Sequence, residues 1–177
     1  MTGRYINLNP YNQEVLATWI AMKMLVADFL TPDDVFASSL DRSLFMGRRL
    51  PPDNMTIWIG RYLGSEATNL YYRHGAVAVV TPIRIIPRRP PPGTKKNLLS
   101  QTFIIGELFA HAISTTTGLT FNVPPKFAET IRRIWPYQHA VAWPPVIGMS
   151  DEVARDVATG LNNVGFGRPL ATQSSRE

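Results

Sequence analysis

The residues with the clearest potential for chemistry are Glu107 and His111, which lie four positions apart. If this segment is helical, the two side chains share a face, where a carboxylate and an imidazole could hold a metal ion or transfer a proton. A metal ion would need at least one further ligand, and the other histidines are His74 and His139. A histidine between the apolar neighbours Phe109 and Ala112 is also typical of a packed helix. We favour the packed interpretation, so the sequence predicts no catalytic residue, no metal ligand and no cofactor.

A second pair of candidate groups, Asp33 and Asp34, follows a Thr-Pro dipeptide. Paired carboxylates could bind a metal ion, but a helix start explains them through capping and the helix dipole. The chain has no cysteine, which excludes disulfides, thiolate zinc sites, iron–sulfur clusters and cysteine nucleophiles. Neither a phosphate-binding glycine loop nor a Gly-x-Ser-x-Gly motif is present in the sequence. We therefore expect a protein that is not an enzyme.

The charge of the chain is concentrated in one window. The net charge is +5, and residues 73–96 carry six basic residues and no acidic one, so the rest of the chain sums to −1. Such a patch suits phosphates, acidic protein surfaces or anionic lipids, or it is a solvated loop that keeps a strand edge from pairing. The predicted contact residues for an anion or a partner are Arg84, Arg88, Arg89, Lys95 and Lys96.

Aromatic residues next to prolines and arginines are the other candidates for binding. Interleaved aromatics and arginines are typical of proteins that stack single-stranded nucleic acid, and tryptophan, tyrosine and arginine also anchor protein interfaces. A mixture of core positions and interface anchors explains them more simply. The candidate interface aromatics are Trp58, Tyr62, Trp135 and Trp143.

Periodicity predicts the elements that must position these residues. Helices are expected at 14–30, from the cap at 31–34 through about residue 44, at 98–115, at 126–135 and from 150 to about 160. Strands are expected at 55–60, 71–86, 119–123 and 140–143. In the first helix Met22 and Met24 widen the apolar face, which predicts burial on more than one side.

The order of these elements predicts an α+β domain, with a small sheet of short strands packed by two main helices. Proline doublets and one triplet are expected to form rigid connectors. We expect one domain over residues 1–160 and a tail or arm over 161–177, which has two glycines, a proline and a polar end. No signal peptide or membrane span is predicted, and synthesis in the cytoplasm is expected.

The chain resembles phage tail-terminator and neck proteins, which connect head and tail. The resemblance runs from the first helix, through the strand at 77–86, to the helix at 98–115. It includes the segment Leu50-Pro51-Pro52-Asp53-Asn54-Met55-Thr56-Ile57-Trp58-Ile59-Gly60. In those small α+β domains a helix precedes a sheet and a second helix packs behind it. The resemblance covers roughly the middle two-thirds of the chain and lies in element order, without a diagnostic motif. It implies a ring-forming virion protein without an active site.

The sequence therefore predicts a structural protein that assembles as a homo-oligomer or with other particle proteins, without a membrane partner. The alternative is an accessory protein that binds nucleic acid through the basic loop at 84–96. The affinity of that alternative would fall steeply with salt concentration.

Overall fold

The structure of the protein is a computed structural model that describes residues 5–30, 37–65, 69–80, 85–88, 98–115 and 121–166. It is an α+β fold, as the sequence predicts. The described helices are α1 (Pro10–Ala27), α2 (Ser39–Arg48) and α3 (Asp151–Phe166). The described strands are β1 (Ile6–Leu8), β2 (Met55–Arg61), β3 (Asn69–Val80), β4 (Ile85–Arg88), β5 (Leu98–Ile105), β6 (Leu108–Thr115), β7 (Ile131–Trp135) and β8 (Val141–Trp143).

Six of these strands form one antiparallel sheet in the order β4-β3-β5-β6-β2-β7, and β1 pairs with β8 in a separate two-stranded sheet. Because side chains alternate between the two faces of a strand, the large sheet supports two cores. Ile57 and Ala112 belong to the core beneath α1 and α2, whereas Trp58 and Ile113 belong to the core beneath α3. The sheet is thus covered by helices on both faces.

Helix α1 begins where the sequence provides a cap and a proline. The side chain of Asn9 accepts a hydrogen bond from the Asn12 backbone N–H at 2.9 Å, and Pro10 occupies the first turn, where a missing N–H costs nothing. The helix therefore starts four residues before the predicted start, and a short 3-10 segment at Asp28–Leu30 continues it.

Helix α2 lies antiparallel beside α1. At one end, the Asp28 carboxylate accepts a hydrogen bond from the Ala37 backbone N–H at 3.1 Å and lies 3.6 Å from the Arg42 guanidinium. At the other end, the Thr18 hydroxyl donates to the Arg49 carbonyl at 3.2 Å. Ser38 caps α2, whereas the predicted cap at 31–34 lies outside the described residues.

The predicted helix at 98–115 is wrong, because this segment is the hairpin formed by β5 and β6. The turn falls at Gly106, whose φ of +56° is in the left-handed region that glycine adopts readily. Both strands are buried on both faces, so their sequence lacks the alternation of apolar and polar residues that marks a half-buried strand. The second main helix that packs on the sheet is α3 instead.

Several other boundaries differ from the prediction. The segment predicted as a helix at 126–135 is a 3-10 turn at Pro125–Phe127 followed by β7. The predicted strand at 71–86 is observed as β3 and β4, and residues 81–84 between them lie outside the described residues. Residues 121–123 of the predicted strand at 119–123 have no regular structure. Helix α3 continues to Phe166, six residues beyond the predicted end near residue 160, and residues 167–177 lie outside the described part of the chain.

Candidate functional site

The structure separates the two groups of the predicted Glu107/His111 pair. Glu107 lies in the exposed turn of the hairpin, where its carboxylate accepts a hydrogen bond from Arg61 Nε at 2.9 Å. His111 is on β6 and is completely buried. Because both lie in a β-hairpin and not on one helical turn, the shared helical face on which the pair depended does not exist. The prediction of a common helical face is wrong.

His111 belongs instead to a polar row that crosses the centre of the sheet. Thr102 on β5, His111 on β6 and Trp58 on β2 lie directly opposite one another in neighbouring strands. The Thr102 Oγ1 and His111 Nδ1 atoms are 2.7 Å apart, and the rings of His111 and Trp58 have centroids 5.8 Å apart. Burial lowers the pKa of His111 to about 3, so the imidazole is neutral at physiological pH.

This row is a core feature, since all three side chains are fully buried. Among the described residues, neither His111 Nε2 nor Trp58 Nε1 has a hydrogen-bond partner. A neutral, enclosed imidazole with one hydrogen bond matches the packed interpretation of His111, although the surrounding element is a strand. A solvent-borne substrate has no exposed atom of these side chains to contact.

Three of the four candidate interface aromatics are core residues. Trp58 lies on β2, Tyr62 directly follows β2, and Trp135 lies on β7. All three side chains are buried in the cores between the sheet and its helices. The Trp135 indole also donates a hydrogen bond to the Pro52 carbonyl at 3.2 Å. The prediction that these side chains are surface anchors is therefore wrong. Trp143, the fourth, is partly buried.

Trp143 lines a groove between the small sheet and one end of the large sheet. The groove has a volume of about 470 Å³. Its walls combine apolar side chains with the Arg61–Glu107 ion pair. The lining residues are Ile6, Leu16, Arg61, Glu107, Leu108, Trp143 and Pro144. Such a groove could accept an apolar segment, with the ion pair as its polar border.

Asp151 at the first turn of α3 holds this helix against the sheet. Its carboxylate accepts hydrogen bonds from the Tyr62 hydroxyl and from the Ser65 backbone N–H, the latter at 3.1 Å. These hydrogen bonds, with that of Tyr62 first, lower the pKa of Asp151. The Met149 carbonyl accepts a further hydrogen bond from the Leu63 N–H at 2.8 Å. These hydrogen bonds position α3. An acidic residue at Asp151 is also favoured because it lies in the first turn of the helix, at the positive end of the helix dipole.

Little of the predicted basic contact site falls in the described part of the chain. Arg84, Arg89, Lys95 and Lys96 lie outside the described residues, as do Asp33 and Asp34. Arg88 is the last residue of β4, where its backbone lies opposite Val77. Binding of an anion or a partner by these side chains stays a prediction.

The surface feature that the sequence did not indicate is on α1. The prediction of burial on more than one side is wrong for the isolated chain, because Met22 and Val26 are exposed while Ile20 and Met24 are fully buried. The apolar side chains that line the outward side of α1 and the 3-10 turn after it are Tyr11, Val15, Met22, Val26 and Phe29. We refer to these five residues as the outer stripe.

Among the described residues, no group of three or more histidine, aspartate or glutamate side chains is arranged so that it could hold a metal ion. None of the described helices combines the length and the apolar character that crossing a bilayer requires. No protein-family model matches the chain, and neither a curated protein nor a solved structure matches it.

Proposed function

We propose that this chain is a non-enzymatic assembly subunit that forms a homo-oligomer or part of a larger particle, in the form of a phage tail-terminator or neck component. The observation that carries the proposal is the exposure of large apolar side chains on α1, on the 3-10 turn that follows it and on α2. Phe29 is 78% exposed, Met46 is 76% exposed and Tyr11 is 71% exposed. Large exposed apolar patches on a folded domain mark surfaces that another molecule covers.

The arrangement of the described histidine and carboxylate groups supports a role without catalysis. His111 is enclosed, Glu107 is engaged by Arg61, and Asp151 is used to position α3. Each group thus has a structural use that needs no substrate. The specific form as a virion component rests on the resemblance in element order, in which a helix precedes a sheet and a second helix packs on it. Helix α1 fills the first place, and α3 takes the place expected for a helix at 98–115, which is the β5–β6 hairpin.

The experiment that tests the proposal is a mass measurement by light scattering after size exclusion, at 50 mM and 500 mM salt, with absorbance at 260 and 280 nm recorded together. We expect a discrete multimer without nucleic acid at both salt concentrations, because apolar contacts do not depend on screened charges. Electron microscopy of that multimer then tests for the ring expected of the virion form. A protein that is monomeric at every concentration and salt tested would refute the proposal.

The basic window at 73–96 supports nucleic-acid binding as a second candidate. A protein that is monomeric and carries nucleic acid only at low salt would favour that function. Each phosphate contact then contributes close to one unit to the slope of log affinity against log salt. Replacement of Lys95 and Lys96 by glutamine would lower that slope by about two units.

A further inference from the structure

The outer stripe runs along the whole of α1. Its residues lie three, four or seven positions apart, so they share one side of the helix. The exposed fractions are 71% for Tyr11, 52% for Val15, 41% for Met22, 56% for Val26 and 78% for Phe29. The stripe is therefore an apolar line along one side of the helix, interrupted only at Thr18 between Val15 and Met22, and not a set of scattered side chains.

Helix α1 is apolar on both of its sides. The opposite side, which includes Ala17, Ile20 and Met24, is fully buried against the sheet. Among its 18 residues only Glu14 and Lys23 are charged. A helix that is apolar all round is normally buried all round, and the described residues of this chain cover only one side.

Helix α2 does not cover the stripe, although it lies beside it. The contacts of Thr18 with Arg49 and of Asp28 with Arg42 fix α2 along one border of the outer stripe. The other border carries Trp19 and Lys23, which lie near each other, with Lys23 Nζ 5.7 Å from the centre of the Trp19 ring. The stripe is thus an open apolar strip with defined edges.

We propose that a second copy of this chain covers the outer stripe, with the two α1 helices packed antiparallel about a two-fold axis. The order of side chains supports this occupant, because it is similar from both ends of the stripe. Tyr11 is followed by Val15 at one end, and Phe29 is preceded by Val26 at the other. Antiparallel packing places Tyr11 of one copy next to Phe29 of the other, and Val15 next to Val26. An isologous contact requires such a self-complementary surface.

The area and the charge of the stripe also favour a second copy. Tyr11 and Phe29 alone offer about 300 Å² per copy, given the usual area of an aromatic side chain. With three aliphatic side chains from each copy, the total approaches the roughly 1,000 Å² that a specific interface needs. No charged side chain lies in the stripe, so it offers no contact to a phosphate backbone or to an oppositely charged partner.

This inference rests on the proposed assembly function and names the contact that would produce it. The first test compares Val26→Glu with Asn12→Glu, which adds the same charge at an exposed position of α1 outside the stripe. We expect Val26→Glu to reduce the mass by a factor of two, or to the next smaller unit of a larger assembly, and Asn12→Glu to leave it unchanged. Circular dichroism checks that both variants are folded, and Met22→Lys serves as a second stripe variant if Val26→Glu does not fold.

The second test uses the absence of cysteine from the chain. Proteins with the single substitution Tyr11→Cys or Phe29→Cys are oxidised separately and as a mixture. Antiparallel packing predicts a disulfide-linked dimer in the mixture and little in either protein alone. Efficient linking of each variant to itself would overturn the antiparallel arrangement.

The outcomes separate this inference from the proposed function. A wild-type multimer whose mass survives both Val26→Glu and Met22→Lys would overturn the stripe contact and leave assembly intact. A wild-type monomer at every concentration would refute both. Co-sedimentation of wild-type protein with phosphatidylcholine vesicles, lost in Val26→Glu, would show that lipid covers the stripe and would also overturn the inference.

Discussion

Thr102 and His111 are joined across neighbouring strands in the middle of the sheet, with 2.7 Å between Thr102 Oγ1 and His111 Nδ1. Both side chains are inaccessible to solvent. The imidazole therefore gains a hydrogen bond on one nitrogen and loses hydration on the other, and only its neutral form is compatible with this environment.

The stability of the protein should consequently fall as the pH is lowered through the weakly acidic range. The pKa of His111 is about 3 in the folded state against 6.5 in the unfolded state, so the unfolded chain binds a proton that the folded chain does not. Between pH 7 and pH 5 this difference removes about 2 kcal/mol from the free energy of unfolding. Urea unfolding at the two pH values measures it.

The matched variant for this prediction is His111→Gln, which cannot titrate in this range. The absolute stability of this variant will differ from that of the wild type. Its free energy of unfolding should fall between pH 7 and pH 5 by about 2 kcal/mol less than that of the wild type. An equal pH dependence in the wild type and in His111→Gln would show that His111 is not the group responsible.

Two glycines in helices should respond to alanine in opposite directions. A Cβ added at Gly160 in α3 would lie 2.4 Å from Cζ of the buried Phe127 ring, whereas a Cβ at Gly47 in α2 would have no heavy atom within 4 Å. We expect Gly47→Ala to stabilise the protein by about 0.5–1 kcal/mol, because alanine has less conformational entropy than glycine to lose when the chain folds. Gly160→Ala should destabilise it by about 1–3 kcal/mol because of overpacking. Thermal or urea unfolding measures both.

A double-mutant cycle identifies the cause at Gly160. If the cost comes from Phe127, then the smaller side chain in Phe127→Leu should absorb part of it, and the two substitutions should be less destabilising together than their sum. Simple additivity would show that the close approach to Phe127 is not what requires glycine in α3.

Two buried glutamines provide a second opposed pair. The Gln13 side chain donates to the carbonyls of Leu8 at 2.8 Å and Gln138 at 2.9 Å, and accepts from the Gln138 N–H at 2.7 Å. Gln101 is equally buried, yet within the described residues neither atom of its amide has a hydrogen-bond partner. An unpaired buried polar group is costly, and so is the removal of a partner from a paired one.

Methionine, which is similar in length, should therefore have opposite effects at these two positions. Gln13→Met removes a hydrogen-bond partner from three backbone groups and should cost about 1–3 kcal/mol, whereas Gln101→Met should be neutral or stabilise by about 1 kcal/mol. Chemical denaturation of the two variants is sufficient to compare them. A marked loss of stability in Gln101→Met would indicate that its amide is satisfied in solution.

The sequence was informative where a short segment has residue types that favour a strand, or where a local signal marks an end. The strand β2 and the short strand β8 were predicted nearly to the residue, because β-branched and aromatic residues fill them. The hairpin of β5 and β6 was misassigned because both of its faces are buried. Without alternation, a long segment rich in apolar residues fits a helix as well as a strand, and only Gly106 favoured the turn.

The same limit applies to the candidate site. The sequence identified His111 and Trp58 as notable, but their opposition across β6 and β2 depends on strand register, which has no local signal at either residue. The outer stripe shows the reverse case. Its apolar residues were visible in the sequence, but which of them face the sheet depends on how α1 is rotated against its neighbours, and that is settled by tertiary packing.

The order of strands in the large sheet has a consequence for synthesis of the chain. Strand β2 lies between β6 and β7, and both of these strands are translated after it. The backbone groups of β2 therefore have no partners until residues 108–115 and 131–135 have been synthesised. Until then an almost fully apolar strand has two unpaired edges, a state prone to association with other chains. By contrast, β5 and β6 are adjacent in sequence and can pair at once. We therefore expect the β5–β6 hairpin to form early and β2 to remain unpaired on at least one edge until β7 has been synthesised.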